Sequence, residues 1–272
     1  DSNTLLENWE TLSTDDRAPL VSRTTQGMYP PGSALLPFIL STQLHLLQDK
    51  NHSEAFLANL DVSPNCALPL GDDPTLAEMI NCGCSGVMDD LMSLSNSTDL
   101  LLLYGDLGFF ENPQLYLAVA DAYSTQSELE KEELIKEDAF LISPLQMALA
   151  ASALSNQGVR PAPRIVNAYE DSTGDWVTLP KLSEKVQALP TSQANSLVDT
   201  LHGSQQTHWE VTSLAMTVNE APVTWYLAGT STQWDGQPMV VVVVLEHDAP
   251  LIAPQIGQAL LNEALQLGTI NK

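Results

Sequence analysis

Apolar positions 35, 36, 39, 40, 44 and 47 recur at helical spacing and predict a helix from Ser33 to about Asp49. Ser33 is placed to act as its N-cap, and Pro37 falls in or near the first turn, where a missing N–H costs little. Residues 1–32 are polar with a Pro/Gly-rich end and read as an irregular lead-in. A polar loop at 50–74 precedes a predicted helix from Leu76 to Leu94, and "STDLLLLYGDLGFF" and "PQLYLAVADAY" read as two further short helices. "SELEKEELIKED" (127–138) has the composition of a solvated charged helix or loop.

The second half changes period. "SPLQMALAASALSNQG" (143–158) predicts a helix capped by Ser143, with Pro144 at its first position and Gly158 at its end. "PRIVNAYED" and "DWVTLP" flank Ser172-Thr173-Gly174 as a hairpin, and a helix is expected around 182–203. "HWEVTSLAMTV", "APVTWYLAGT" and "PMVVVVVLE" predict three strands of an antiparallel meander, and "LIAPQIGQALLNEAL" (251–265) closes the chain as a helix. A helical first half and a strand-rich second half, packed together, indicate an α+β fold: an antiparallel sheet flanked by helices.

Composition narrows the partners. The 272 residues, 44% hydrophobic, suffice for a sizeable core, but 34 Asp and Glu face only 10 Lys and Arg, a net charge of −24. Nucleic acid and anionic membrane surfaces both require a cationic footprint, so neither is expected as a partner. The acidity reads first as a solvated surface, with a docking face for a basic partner or adaptation to salt as alternatives. No Lys or Arg occurs between Lys50 and Lys131 or between Lys185 and Lys272. No apolar run reaches the ~20 residues needed to span a bilayer, and no signal peptide is read. Cys82 and Cys84 point in different directions on the predicted helix, so buried free thiols are expected ahead of a pair between one of them and Cys66. Cys-Gly-Cys without a second ligand pair supports no metal site, and "GTST" (229–232) and "GDLG" (105–108) lack the spacing and lysine of phosphate loops, so no cofactor is expected.

Four segments carry a family likeness: "SRTTQGMYPPGSALLP", "ISPLQMALAASALSNQGVRPAPRIV", "TWYLAGT" with "MVVVVVLE", and "IAPQIGQALLNEAL". In this order and spacing the chain resembles the transpeptidase domain of penicillin-binding proteins, serine acyltransferases that cross-link peptidoglycan. The resemblance implies one domain over 1–272, with a helical subdomain at roughly 50–140 set against an α/β part formed by 1–49 and 141–272. It also implies three motifs: Ser-x-x-Lys, Ser-x-Asn and Lys-Thr/Ser-Gly. The first places the nucleophile position at Ser33 and the lysine position at Leu36. The second falls, within a residue or two, on Gly83, Cys84 and Ser85. The third falls on Val211-Thr212-Ser213 or Thr212-Ser213-Leu214, without a lysine.

A serine hydroxyl is a poor nucleophile unless a neighbour takes its proton, and Leu36, one helical turn on, cannot. General-base assistance is typically worth 10²–10⁴-fold. The missing third-motif lysine removes a contact that the family uses for the substrate carboxylate. The expectation is therefore a transpeptidase-like domain without catalytic activity, an interaction or scaffold module of cell-wall assembly. The resemblance implies an extracytoplasmic place, protein partners in the assembly machinery, and an N-terminal membrane anchor and pedestal region outside this sequence. The alternative is an active transpeptidase or carboxypeptidase that uses Ser33 with an unorthodox base. His45 lies twelve residues along the helix, too far, which leaves His208 as the candidate.

Overall fold

The computed structural model describes residues 2–15, 17–44, 50–60, 65–122, 141–201 and 207–270. Its first half holds α1 (Ser2–Glu7), α2 (Trp9–Ser13), α3 (Arg23–Gln26), a 3₁₀ turn (Gly32–Leu35), α4 (Leu36–Ser41), α5 (Lys50–Asn59), α6 (Leu76–Asn81), α7 (Ser85–Leu94) and α8 (Ser97–Asp106). Then come α9 (Pro144–Ser155), β1 (Val159–Arg160), β2 (Ala168–Glu170), β3 (Trp176–Thr178), β4 (Val186–Gln187), α10 (Thr191–Leu201), β5 (His208–Met216), β6 (Pro222–Thr230), β7 (Val240–Leu245) and α11 (Ala253–Ile270). The fold is α+β, as the two hydrophobic periods require.

The sheet β5-β6-β7 is an antiparallel meander in which β5 is an edge strand, with Ser213 opposite Trp225 and Thr212 opposite Tyr226. Period-2 alternation sends the two sets of side chains to opposite faces. Trp209, Val211 and Trp225 enter the principal core with α4, α6, α7, α8, α9 and α10, whereas Tyr226 and Ala228 meet Ala253 and Leu261 of α11. Both faces are therefore covered, and a one-residue slip of β5 would exchange them.

The apolar pattern places most elements and misplaces several ends. Ser143 caps α9 through a reciprocal capping box with Gln146, with Pro144 in its first turn. The predicted Leu76–Leu94 helix is two helices, broken at Cys82-Gly83-Cys84 where Gly83 adopts φ +65°. The "PQLYLAVADAY" segment is not helical over 113–122: Ala120 N–H donates to Thr25 O (2.9 Å) and Ala122 N–H to Asn112 Oδ1, which holds the chain extended. The "polar loop" contains α5, whose Phe56 and Leu57 pack on the core. The helix expected from 182 begins only at Thr191, because Ala188 and Leu189 spend their N–H groups on Gly158 O and Pro190 precedes it. The helix expected from Ser33 is described only to Leu44, and the charged segment 127–138 lies outside the described residues.

The free-thiol expectation for the cysteines needs correction. Cys66 and Cys84 form a disulfide, and only Cys82 is free. The error follows from the helix break: with Gly83 left-handed, Cys84 turns off the axis of α6 toward the preceding loop, where Ser85 N–H also donates to Asn65 O (3.0 Å). Alkylation of the unfolded, unreduced protein should label one thiol by mass, and three after reduction. Because the bridge closes a sequence separation of 18, replacing both cysteines by alanine should lower unfolding stability by about 3 kcal/mol in a urea titration.

Glu246, just past β7, joins the lead-in to the sheet: Tyr29 Oη donates to Oε1 at 2.7 Å and Arg23 Nε at 3.1 Å. The Tyr29 hydrogen bond, with Arg23 behind it, holds the carboxyl below its usual value of 4.5. A depressed folded value stabilises the protein above the unfolded value and loses that contribution as pH falls through the folded one. In Glu246→Gln the urea midpoint should therefore fall less between pH 6 and pH 3 than in wild type, with a difference near pH 7 of at most about 1 kcal/mol, since the pair is exposed.

Candidate functional site

The three positions assigned to the family motifs converge. The Tyr29-Pro30-Pro31-Gly32 approach is fixed by a two-way backbone bridge between Tyr29 and Ile142 and by Trp225 Nε1 donating to Pro30 O (2.8 Å). Gly32, at φ +51°, turns the chain so closely under β5 that an added Cβ would lie 2.7 Å from Ala215 Cβ. The next residue, Ser33, is thereby carried beneath the strand.

Ser33 is not an N-cap. It lies inside the 3₁₀ turn, α4 starts at Leu36, and no side-chain capping hydrogen bond forms at either element. Its hydroxyl points instead across the fold, donating to Gly83 O at 2.9 Å and lying 2.9 Å from Ser213 Oγ. A serine has one proton to give. With that proton on the Gly83 carbonyl, Ser213 becomes the donor to Ser33, and a one-way chain runs Ser213 Oγ–H to Ser33 Oγ–H to Gly83 C=O. The carbonyl accepts the hydrogen bond but cannot act as a base.

The surroundings are closed as well as inert. Ser33, Leu36 and Ser213 are 0% exposed and Thr212 is 2% exposed, so no solvent or substrate reaches the hydroxyl in this conformation. Leu36, at the position that the resemblance assigns to a lysine, lies in the apolar core. Gly83 is pressed on β5: a Cβ there would stand 2.1 Å from Thr212 O and 2.9 Å from Ser213 Cα. No side chain, a serine's included, can be accommodated at this position unless β5 moves away. Ser85, the other assigned position of that motif, is half-buried and donates to Asn65 O at 3.3 Å, away from Ser33.

His208 does not rescue the base. It lies five residues from Ser213 on the same strand, about 17 Å at ~3.3 Å per residue. Its ring is buried at the far end of β5, with Nδ1 3.4 Å from Thr207 Oγ1. His45 lies outside the described residues. Beside the sealed serine a cavity of about 320 Å³ remains, bordered by Pro30, Asn65, Gly83, Ser85 and residues 214–216 of β5. Among the described residues no charged side chain lines it. Sequence reasoning did not find the Ser33–Gly83–Ser213 chain, although two signals existed: glycine at both points of closest approach, and a hydroxyl on the inward face of β5. Among the described residues no cluster of His, Cys, Asp or Glu could hold a metal ion, and no helix is long and apolar enough to cross a membrane.

These contacts make two substitutions diagnostic. Ser33→Ala leaves the Gly83 carbonyl without its hydroxyl donor and the Ser213 hydroxyl without its acceptor, both buried, so it should lower stability by about 1–3 kcal/mol. Gly83→Ala adds left-handed strain to a backbone collision and should cost about 2–5 kcal/mol. Urea denaturation of the two variants beside wild type checks both magnitudes and their order.

Comparison with known proteins agrees with the resemblance. No protein-family model matches the chain. The peptidoglycan D,D-transpeptidase PbpA of Mycolicibacterium smegmatis is 24% identical over 302 residues, which cover 96% of this chain and 60% of that protein. The chain thus spans less than two thirds of that relative. Penicillin-binding protein A of M. tuberculosis, in its penicillin G acyl-enzyme complex, superposes with a TM-score of 0.73 at 20% identity over 97% of this chain and 67% of the other. The D,D-transpeptidase domain of a peptidoglycan glycosyltransferase from Eggerthella lenta gives 0.70 at 19% identity, covering 98% and 72%. Together, the meander, the converged motif positions and these relatives identify the fold as that of a penicillin-binding-protein transpeptidase domain.

Proposed function

We propose that this domain belongs to peptidoglycan synthesis as a catalytically inactive member, serving as an interaction or scaffold module outside the cytoplasm. One observation carries the reading: the hydroxyl at the nucleophile position is sealed from solvent and hydrogen-bonded to a carbonyl and a second serine, with leucine where a lysine base would stand. Acylation needs a route for the acyl carbonyl to Ser33 Oγ, a base for the hydroxyl proton and donors for the developing oxyanion. The described residues offer Ser33 neither the route nor the base.

Relatives named for peptidoglycan transpeptidation support the setting. The Cys66–Cys84 disulfide supports an oxidising, extracytoplasmic compartment, since such bridges are rare where thiols are kept reduced. With its chemistry gone, the domain contributes surface, and its partners would be proteins of the cell-wall assembly machinery. Full-length protein should capture such partners in a pull-down.

Intact-protein mass after incubation with excess penicillin G tests the inactive reading directly. The mass should remain unchanged while an active transpeptidase treated in parallel gains one acyl adduct. An adduct mapped to Ser33 would overturn the reading. Leu36→Lys alone should not restore acylation, because Ser33 remains sealed under β5 and the new ammonium would enter a fully buried position, where an unpaired charge is strongly disfavoured.

A further inference from the structure

A second cavity, about 560 Å³, lies away from Ser33, between the segment at 114–117, the chain leaving β1 and the stretch at 179–185. Exposed apolar side chains line it, among them Leu117 (55% exposed), Ile165 (62%) and Leu182 (42%). Its charge opposes that of the chain. Three basic residues, Arg164, Lys181 and Lys185, and one acidic residue, Glu184, line the groove, whereas the whole chain carries 10 basic and 34 acidic residues. Elsewhere the described arginines are neutralised: Arg17 by Asp15, Arg23 by Glu246 and Arg160 by Glu111. Lys181 and Lys185 form no ion pair with the described residues, and their side chains are exposed. Arg164 is committed to the wall, donating to the carbonyls of Val166, Asn167 and Leu179 and so bracing both sides of the groove. Ser183 Oγ, buried at the same place, has no hydrogen-bond partner among the described residues.

We propose that this groove is a docking site for an acidic peptide segment of a partner protein, one that interleaves Asp or Glu with Leu, Ile, Val or Phe. The apolar residues enter the groove, and the carboxylates meet Lys181 and Lys185 on its rim. The choice of an acidic occupant rests on charge complementarity, which at an interface governs specificity and association rate. A basic partner, the alternative suggested by total charge, would be repelled from this groove while remaining welcome on the rest of the acidic surface. A volume within the 300–1,000 Å³ range typical of binding pockets suits a few anchor side chains rather than a whole domain face. The proposal rests on the scaffold reading only in taking the ligand to be a protein.

Selection of random dodecapeptides displayed on phage against the purified domain tests it. The recovered sequences should pair acidic with large apolar residues, and raising salt from about 50 to 300 mM should weaken their binding, because the rim lysines are exposed. Reversing the rim with Lys181→Glu and Lys185→Glu should weaken the best peptide about tenfold or more, a loss of about 1.4 kcal/mol or more. The exposed double variant should keep the wild-type melting temperature, and the melting curve guards against misfolding. Recovery of basic or uncharged peptides, recovery of none, affinity unmoved by the reversal, or preference for phosphatidylglycerol vesicles over every peptide would each overturn the proposal. A penicillin adduct on Ser33 would sink the inactive reading yet leave this groove standing, so the two fail separately.

Discussion

The closure of Gly83 onto the edge of β5 is the contact on which the rest of the site depends. With no side chain at residue 83, the turn between α6 and α7 approaches β5 until its backbone meets Thr212 and Ser213. That approach presents the Gly83 carbonyl to Ser33 and brings Ser213 within 2.9 Å of the same hydroxyl. Gly32 makes a parallel approach from the other side, against Ala215. Two glycines thus let three segments, far apart in sequence, close on one another, and three polar groups satisfy each other where a cleft would need them free. The Cys66–Cys84 bridge adjoins Gly83 and ties the same turn to the loop before α6.

A functional cleft conflicts with stability. Unpaired donors, desolvated cations and open volume are arranged for a substrate and weaken the empty protein. Here the conflict has been resolved toward stability. A buried leucine side chain contributes about 1.5–3 kcal/mol relative to an exposed one, whereas a buried unpaired ammonium costs several. Leu36 at 0% exposure therefore stabilises α4 at a position where a lysine would need a carboxylate or a water channel. The fold does not depend on the polar groups of the site, because its framework lies elsewhere, in the sheet between α9 and α11 and in the apolar contacts of α4, α6, α7 and α8.

The sequence makes the framework legible because period and capping are local properties. Ser143-Pro144, the alternation in β5 and β6 and the valine run of β7 each state their element within a few residues, and the quoted family segments lie on the same elements. The ends were harder because tertiary hydrogen bonds decide them. The start of α10 depends on Gly158 taking the N–H groups of Ala188 and Leu189, and the extended 113–122 stretch depends on Asn112 and Thr25. For the site, sequence alone shows that the positions the resemblance assigns to lysines hold none, since a lysine's absence needs no coordinates. What took their place was not legible: helix spacing offered Ser33 an N-cap role, while the structure turns its hydroxyl toward β5. The cysteine pairing is hidden for a related reason: one left-handed glycine turns Cys84 out of the helix that its spacing predicts.

Charge unites these observations. The two stretches without lysine or arginine, 51–130 and 186–271, supply α6, α7 and β5, which surround Ser33. Four of the ten basic residues instead fall within 160–185: Arg160, paired with Glu111, and the three that line the groove. On a chain of net charge −24, a small cluster of unneutralised lysines stands out electrostatically, because the surrounding acidic field attracts counterions and repels anions from everywhere else. An acidic ligand approaching this domain is therefore disfavoured on most of the surface and favoured at one apolar groove. Discrimination of that kind comes as much from the repulsion elsewhere as from the attraction at the site. Whatever becomes of the serine, this charge pattern gives the domain a physical means of distinguishing partners.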